Sequence, residues 1–166
     1  EQAAELSAAL GPFVARVGVF VNASAEDIDH AVAAAGLSAV QLHGAEEPAF
    51  AARFQGSVRV VRAVSFGPGI TPDALADYPA DAFLLDASAP GSGRTFAWDA
   101  AAMWRGHPRM LLAGGLTPDN VGAAVNALSP YGVDVSSGVE SAPGIKSAEL
   151  IQRFVAAARR GGEAGS

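Results

Sequence analysis

Cysteine is missing from this 166-residue sequence altogether, which excludes disulfides and thiolate metal sites. Lysine is nearly missing, with Lys146 as its one representative. Charge of either sign is sparse at 17% of residues, and the formal balance is -6. That balance argues against nucleic-acid and anionic-membrane partners, which need a concentrated basic face. No apolar run approaches the roughly 20 residues of a membrane span, and the amino terminus has no signal-peptide pattern. A cytoplasmic enzyme is the expectation. An anionic small substrate stays open, because local backbone N–H groups rather than net charge hold a phosphate. What the chain does have is apolar residues, 50% of the total, enough to bury a substantial core.

Its organisation is an alternation of short apolar runs and amphipathic segments. Glu1–Leu10 reads as a helix ended by Gly11-Pro12. Val17–Val21 reads as a buried strand, and Ser24 with Asp27 resembles a capping box for a helix over Ala25–Ala35 that Gly36 stops. The pattern then predicts strands at Ala39–Leu42, Val58–Val64, Ala82–Leu85, Met110–Ala113 and Val133–Val135. Between them it predicts helices at Pro48–Phe54, after Thr71-Pro72-Asp73, at Ala100–Trp104 and at Asp119–Leu128, with a last helix over Ala148–Arg159. A single domain over residues 1–160 and a frayed polar tail over 161–166 are expected.

Near-continuous apolar strands alternating with helices imply a parallel sheet covered on both faces, an α/β fold. Six strands are predicted. On periodicity alone two architectures are equal: a β/α barrel lacking its first strand, first helix and second strand, and a complete doubly wound sheet.

Two loops weigh on the choice. Gly114-Gly115-Leu116-Thr117 follows the strand ending at Ala113, and Val133–Glu140 begins as a strand and ends as the loop Ser136-Ser137-Gly138. Glycines let backbone approach an anion, and free N–H groups at a loop or helix start donate to it. Barrels frequently bind phosphate with the loops after their last two strands. Either loop alone is as well read as a tight turn or a polar surface loop; the two together on consecutive final strands favour phosphate.

Several segments together resemble phosphoribosylanthranilate isomerase. They are Val17–Asn22 (VGVFVN), Gln41-Leu42-His43-Gly44, Leu84-Leu85-Asp86, Gly91–Phe96 (GSGRTF), Gly114–Thr117, Val133–Glu140 (VDVSSGVE) and Pro143-Gly144, in the family's order and spanning nearly the whole chain. The resemblance implies a (βα)8 TIM barrel with about six of its eight strands in this chain, working without a cofactor. It implies an Amadori rearrangement of N-(5-phosphoribosyl)anthranilate in tryptophan biosynthesis by general acid/base catalysis. The family's acid maps onto Asp86. Its phosphate site maps onto Gly114, Gly115, Ser136, Ser137 and Gly138. Asp134 is placed to touch a substrate hydroxyl, and His43 to line the site. The expected partner is a small phosphorylated substrate, with the chain a monomer or homodimer.

The family's base is a cysteine at the end of the first strand, and this sequence has none. Its anthranilate-binding arginine has no counterpart here either. The loop from Asp86 to Phe96 is short for the family, and Ala97 replaces a common aspartate. Turnover by this chain alone is therefore not expected. Three other assignments are weighed beside the isomerase: an indole-glycerol-phosphate synthase relative, disfavoured by the lack of lysines, a thiamine-phosphate synthase relative, and a non-catalytic phosphate-binding barrel piece. His30 and His107 read as surface residues, Trp98 and Trp104 as packing, Arg94 equally as an anion contact or a solvated charge, and Arg159-Arg160 as cations suited to a helix end.

Overall fold

A computed structural model describes residues 2–11, 13–67, 69–87 and 98–164. Arg94, Ala97 and the GSGRTF loop lie outside them. Six strands, β1 (Val17–Phe20), β2 (Ala39–Leu42), β3 (Arg59–Ser65), β4 (Ala82–Asp86), β5 (Met110–Ala113) and β6 (Gly132–Val133), form one sheet in sequence order. The pairs β1–β2, β2–β3 and β5–β6 are parallel. Contacts divide the chain into two compact units, Glu1–Ala63 with Asp77–Phe83, and Val64–Ala76 with Leu84–Ser166.

In the first unit, α1 (Gln2–Ala9) precedes β1, and α2 (Ala25–Ala35) links β1 to β2. The N-cap half of the predicted capping box forms, with Asp27 N–H donating to Ser24 Oγ at 3.2 Å, while the Asp27 carboxylate takes the Ser24 hydroxyl at 2.7 Å. Gly36 ends the helix with φ 59°, a conformation that favours glycine. All four residues of β2 are buried, as an interior parallel strand requires. In β1, Val17 and Val19 are 48% and 59% exposed, and Val21 just beyond it 64%. The predicted helix to Phe54 is shorter than expected: α3 spans Pro48–Ala52. Residues 53–57 continue as turns that seat Phe54 in the core, with Phe50 edge-on to it at 5.5 Å.

In the second unit the sequence overestimated regular helix. After Thr71-Pro72 only one 3-10 turn forms, Asp73–Leu75, although Thr71 Oγ1 accepts the Ala74 N–H at 3.1 Å as a cap should. Pro79 lies too close downstream for the helix to propagate, since the residue before a proline is driven out of helical conformation. The segment Trp98–Trp104 is likewise 3-10; Trp104 is fully buried and its indole N–H donates to the Ile70 carbonyl at 3.1 Å.

The helix expected from Asp119 starts two residues later, as α4 (Val121–Leu128), because Asn120 is spent on the turn before it. Its amide accepts from Thr117 N–H at 2.8 Å and donates to the Gly115 carbonyl at 2.9 Å. β6 stops at Val133 rather than Val135: Asp134 N–H makes a last bond to the Leu112 carbonyl at 2.8 Å, and the chain then turns.

A hairpin that the periodicity did not predict follows, β7 (Glu140–Ala142) antiparallel to β8 (Ile145–Lys146), with Gly144 at φ 78° in its turn. The tail expected to fray from Gly161 is instead helical, since α5 runs Ala148–Ala164. Gly161 explains the difference: a Cβ there would collide with the backbone of Gly122 on α4, so the bare glycine lets the last turns of α5 pack close.

Candidate active site

Parallel strands deliver all their carboxyl ends to one edge of a sheet, and in the second unit that edge carries most of the predicted site. Asp86 is the last residue of β4 and is half-buried. Its carbonyl accepts the Phe66 N–H at 2.9 Å, and the next residue, Ala87, donates to the carbonyl of Ala113 at 2.9 Å. Asp86 is thereby held beside the end of β5. Gly114 and Gly115 follow at once, at φ 88° and 64°. Two successive left-handed residues turn the chain sharply, a conformation that glycine adopts without strain.

Asp134 emerges next, exposed, one residue past β6. Ser136 is exposed and leads into a 3-10 turn, Ser137–Val139. Gly138 ties the two loops together, since a Cβ there would overlap the carbonyl oxygen of Leu116. The Gly114–Thr117 and Ser136–Gly138 loops are thus in backbone contact, as a shared anion site requires.

Lys146 reaches into the second loop from β8. Its ammonium donates to the Ser136 carbonyl at 2.9 Å, to Ser136 Oγ at 3.1 Å and to Glu140 Oε1 at 2.6 Å. The hydrogen bond from Lys146, with another from Gly144 N–H, holds the Glu140 carboxyl below its ordinary range. Neither Lys146 nor Glu140 was singled out as a site residue by sequence. The turn signal Pro143-Gly144 between two short runs was the one available clue to the hairpin that brings them here.

His43 belongs to the first unit, just past β2. Its N–H donates to the Phe20 carbonyl at 2.8 Å, and its Nδ1 lies 3.2 Å from Gln41 Nε2. Three residues on is a feature that sequence reasoning missed, the buried carboxylate of Glu46. It accepts from Asn22 N–H at 2.8 Å, Gly44 N–H at 2.9 Å and Arg62 Nη1 at 2.9 Å. Tyr78 lies 5.3 Å beneath the Arg62 guanidinium and donates its hydroxyl to the Glu46 carbonyl at 3.0 Å. This cluster fixes the backbone on either side of His43. A cleft of about 380 Å³ in the same unit, lined by Ser38, Gln55, Ser57 and Asp81, sits at the amino-terminal ends of the strands, the end opposite His43.

His107 corrects one expectation, being half-buried rather than on the surface. Its ring meets Trp104 edge-on at 5.1 Å, and burial, aided by the Arg109 charge, pushes its pKa down. His30 is exposed as expected.

Comparison with known proteins identifies the family. Residues 1–157 match the family model of N-(5'-phosphoribosyl)anthranilate (PRA) isomerase. An N-(5'-phosphoribosyl)anthranilate isomerase of Pelobacter propionicus is 45% identical over 163 residues, covering 96% of this chain and 77% of that protein. The crystal structure of phosphoribosyl anthranilate isomerase from Thermus thermophilus is 41% identical with a TM-score of 0.83, covering 95% of this chain and 78% of that one. A second structure, of phosphoribosyl anthranilate isomerase in complex with reduced 1-(o-carboxyphenylamino)-1-deoxyribulose 5-phosphate, is 36% identical with a TM-score of 0.79 over 95% and 77% of the two chains. With six parallel strands and these neighbours, the fold is of the β/α-barrel class. This chain belongs to the phosphoribosylanthranilate isomerase family.

Proposed function

We propose that the chain serves the Amadori rearrangement of N-(5-phosphoribosyl)anthranilate to 1-(2-carboxyphenylamino)-1-deoxyribulose 5-phosphate in tryptophan biosynthesis. The observation that carries the reading is Asp86 at the end of β4, joined through Ala87 to the end of β5, where the Gly114-Gly115 turn begins. A proton donor stands next to a loop suited to hold a phosphate. The family match and the ligand of the solved relative support the same substrate class.

In this reading the phosphate is held by Gly114, Gly115, Ser136, Ser137 and Gly138, whose backbone comes together at the Leu116–Gly138 contact. Asp134 meets a sugar hydroxyl. Asp86 gives its proton to the furanose oxygen as the anilino nitrogen lone pair forms the C1′ Schiff base and the C1′–O bond breaks. A base then takes the C2′ proton, and the resulting enolamine relaxes to the ketone.

The second step needs a group other than Asp86. The family's cysteine base has no counterpart in a chain without cysteine, so we expect no normal turnover from this chain alone. A cytoplasmic location and a monomeric or homodimeric state complete the proposal. Among the described residues no helix is long and apolar enough to cross a membrane.

Loss of phosphoribosylanthranilate fluorescence measures the reaction. The purified chain should be silent, and a peptide carrying a family first strand should restore turnover. In a protein with that segment restored, Asp86→Asn should abolish turnover and leave phosphate binding intact. Undiminished turnover by that variant would remove Asp86 from the mechanism. Silence persisting with the segment restored would favour a non-catalytic phosphate-binding role.

A further inference from the structure

We infer that Lys146 is a positioning residue for the phosphate loop, acting on the ligand through the hydroxyl of Ser136. The inference rests on the phosphate site proposed above and names how one part of it is set.

An ammonium has three protons, and here each has an acceptor within the protein: the Ser136 carbonyl, Ser136 Oγ and Glu140 Oε1. No proton of Lys146 is left to point at a ligand. The consequence falls on Ser136. Its Oγ receives a hydrogen bond from a cation, which orients its lone pairs toward Nζ and leaves its own O–H as a donor directed elsewhere. Among the described residues that proton has no acceptor, and Ser136 is exposed. A phosphate oxygen at the mouth of the loop supplies one, and the adjacent cation makes the hydroxyl a stronger donor.

The hairpin provides the rigidity this needs. Glu140 and Lys146 face each other across β7–β8, and Glu140 accepts from Gly144 N–H in the turn at 3.2 Å. The carboxylate balances the lysine charge, so the loop's selectivity for phosphate comes from donor geometry more than from net charge. Arginine, which supplies every other cationic side chain in the sequence, is a planar fork and does not place three donors tetrahedrally on these acceptors.

The test is a titration of the chain with inorganic phosphate, followed at the backbone amides of Gly115, Ser136 and Gly138 by NMR. Lys146→Met should weaken binding by about tenfold, the effect of losing one charge-assisted hydrogen bond. Lys146→Gln, which keeps a donor but no charge, is the second variant should Lys146→Met disturb the hairpin amides, and it too should weaken binding. Ser136→Ala should weaken binding to a similar extent, and adding Lys146→Met to it should cost no further affinity. Wild-type affinity in both lysine variants overturns the inference, as does a full additive loss in the double variant, which would mean that Lys146 acts by its charge alone. If the wild-type chain shows no phosphate-dependent shifts at these amides, the phosphate site itself fails and the inference falls with it.

Discussion

Arg62 places its guanidinium 2.9 Å from the carboxylate of Glu46, and both side chains are nearly out of water, 14% and 3% exposed. The pair links β3 to the loop after β2, where Gly44 N–H also donates to the carboxylate, and through the N–H group of Asn22 it holds the loop after β1. Removing one partner leaves the other charge stranded. Glu46→Ala should therefore cost about 3 kcal/mol, near the low end for a broken buried pair because Arg62 retains some solvent. The midpoint shift in urea measures it. A shift worth less than about 1 kcal/mol would mean that water replaces the carboxylate at little cost.

The same carboxylate sets an acid limit. Burial pushes the Glu46 pKa up, but N–H donors from Asn22, Gly44 and its own backbone, with the Arg62 charge, outweigh that and hold it below 4.5. A depressed folded-state pKa stabilises the fold above the unfolded value and loses that contribution as pH falls through the folded one. Stability should thus be flat in this respect near neutrality and decline below about pH 4.5, and the decline should be shallower in Glu46→Gln. Parallel acid limbs in the two proteins would assign the loss to other carboxylates.

Gly161→Val tests the packing of α5 on α4. Its side chain has to occupy the space of the Gly122 backbone, so we expect overpacking to cost about 2 kcal/mol. Hydrogen exchange should rise in α4 and α5 and remain unchanged in α2. Unchanged exchange in α4 would place the close approach elsewhere.

Ser24→Ala removes the side-chain acceptor for Asp27 N–H at the start of α2, and about 1 kcal/mol of stability with it. Ser24→Asp should recover most of that loss in a thermal melt, because a carboxylate at the cap also meets the helix dipole. If the two variants melt alike, the capping bond contributes little.

His107 offers a spectroscopic check. Its ring protons should titrate below the ordinary 6.5, and Arg109→Ala should move the midpoint part of the way back. A midpoint unmoved by that substitution would leave burial beside Trp104 as the whole cause.

The strands were legible because burial on both faces leaves unbroken apolar runs such as Ala39–Leu42 and Phe83–Leu85, whose meaning does not depend on distant partners. The helix caps at Ser24 and Gly36 were equally local. The 3-10 segments were not: whether Thr71–Leu75 or Trp98–Trp104 completes an α-helix depends on how the chain must leave, which Pro79 and the burial of Trp104 decide. Tertiary contacts also hid Gly161, read as the start of a small polar tail, whose missing side chain lets α5 pack close against Gly122 of α4. Asp86 and the paired loops could be placed from sequence because a strand end is a fixed address in a parallel sheet. Lys146 could not, since only the hairpin returns it to Ser136.

The exposed valines of β1 carry a consequence for the behaviour of the protein in bulk. Val17 and Val19 on the first strand in the sheet order, with Val21 just beyond it, are exposed and greasy, and a net charge of -6 opposes their association between copies. That repulsion vanishes near pH 4.9, where the charge sums to zero, and is screened by concentrated salt. Colloidal stability should therefore fail at a mildly acidic pH while the Glu46–Arg62 pair is still intact, so turbidity on acidification will precede unfolding.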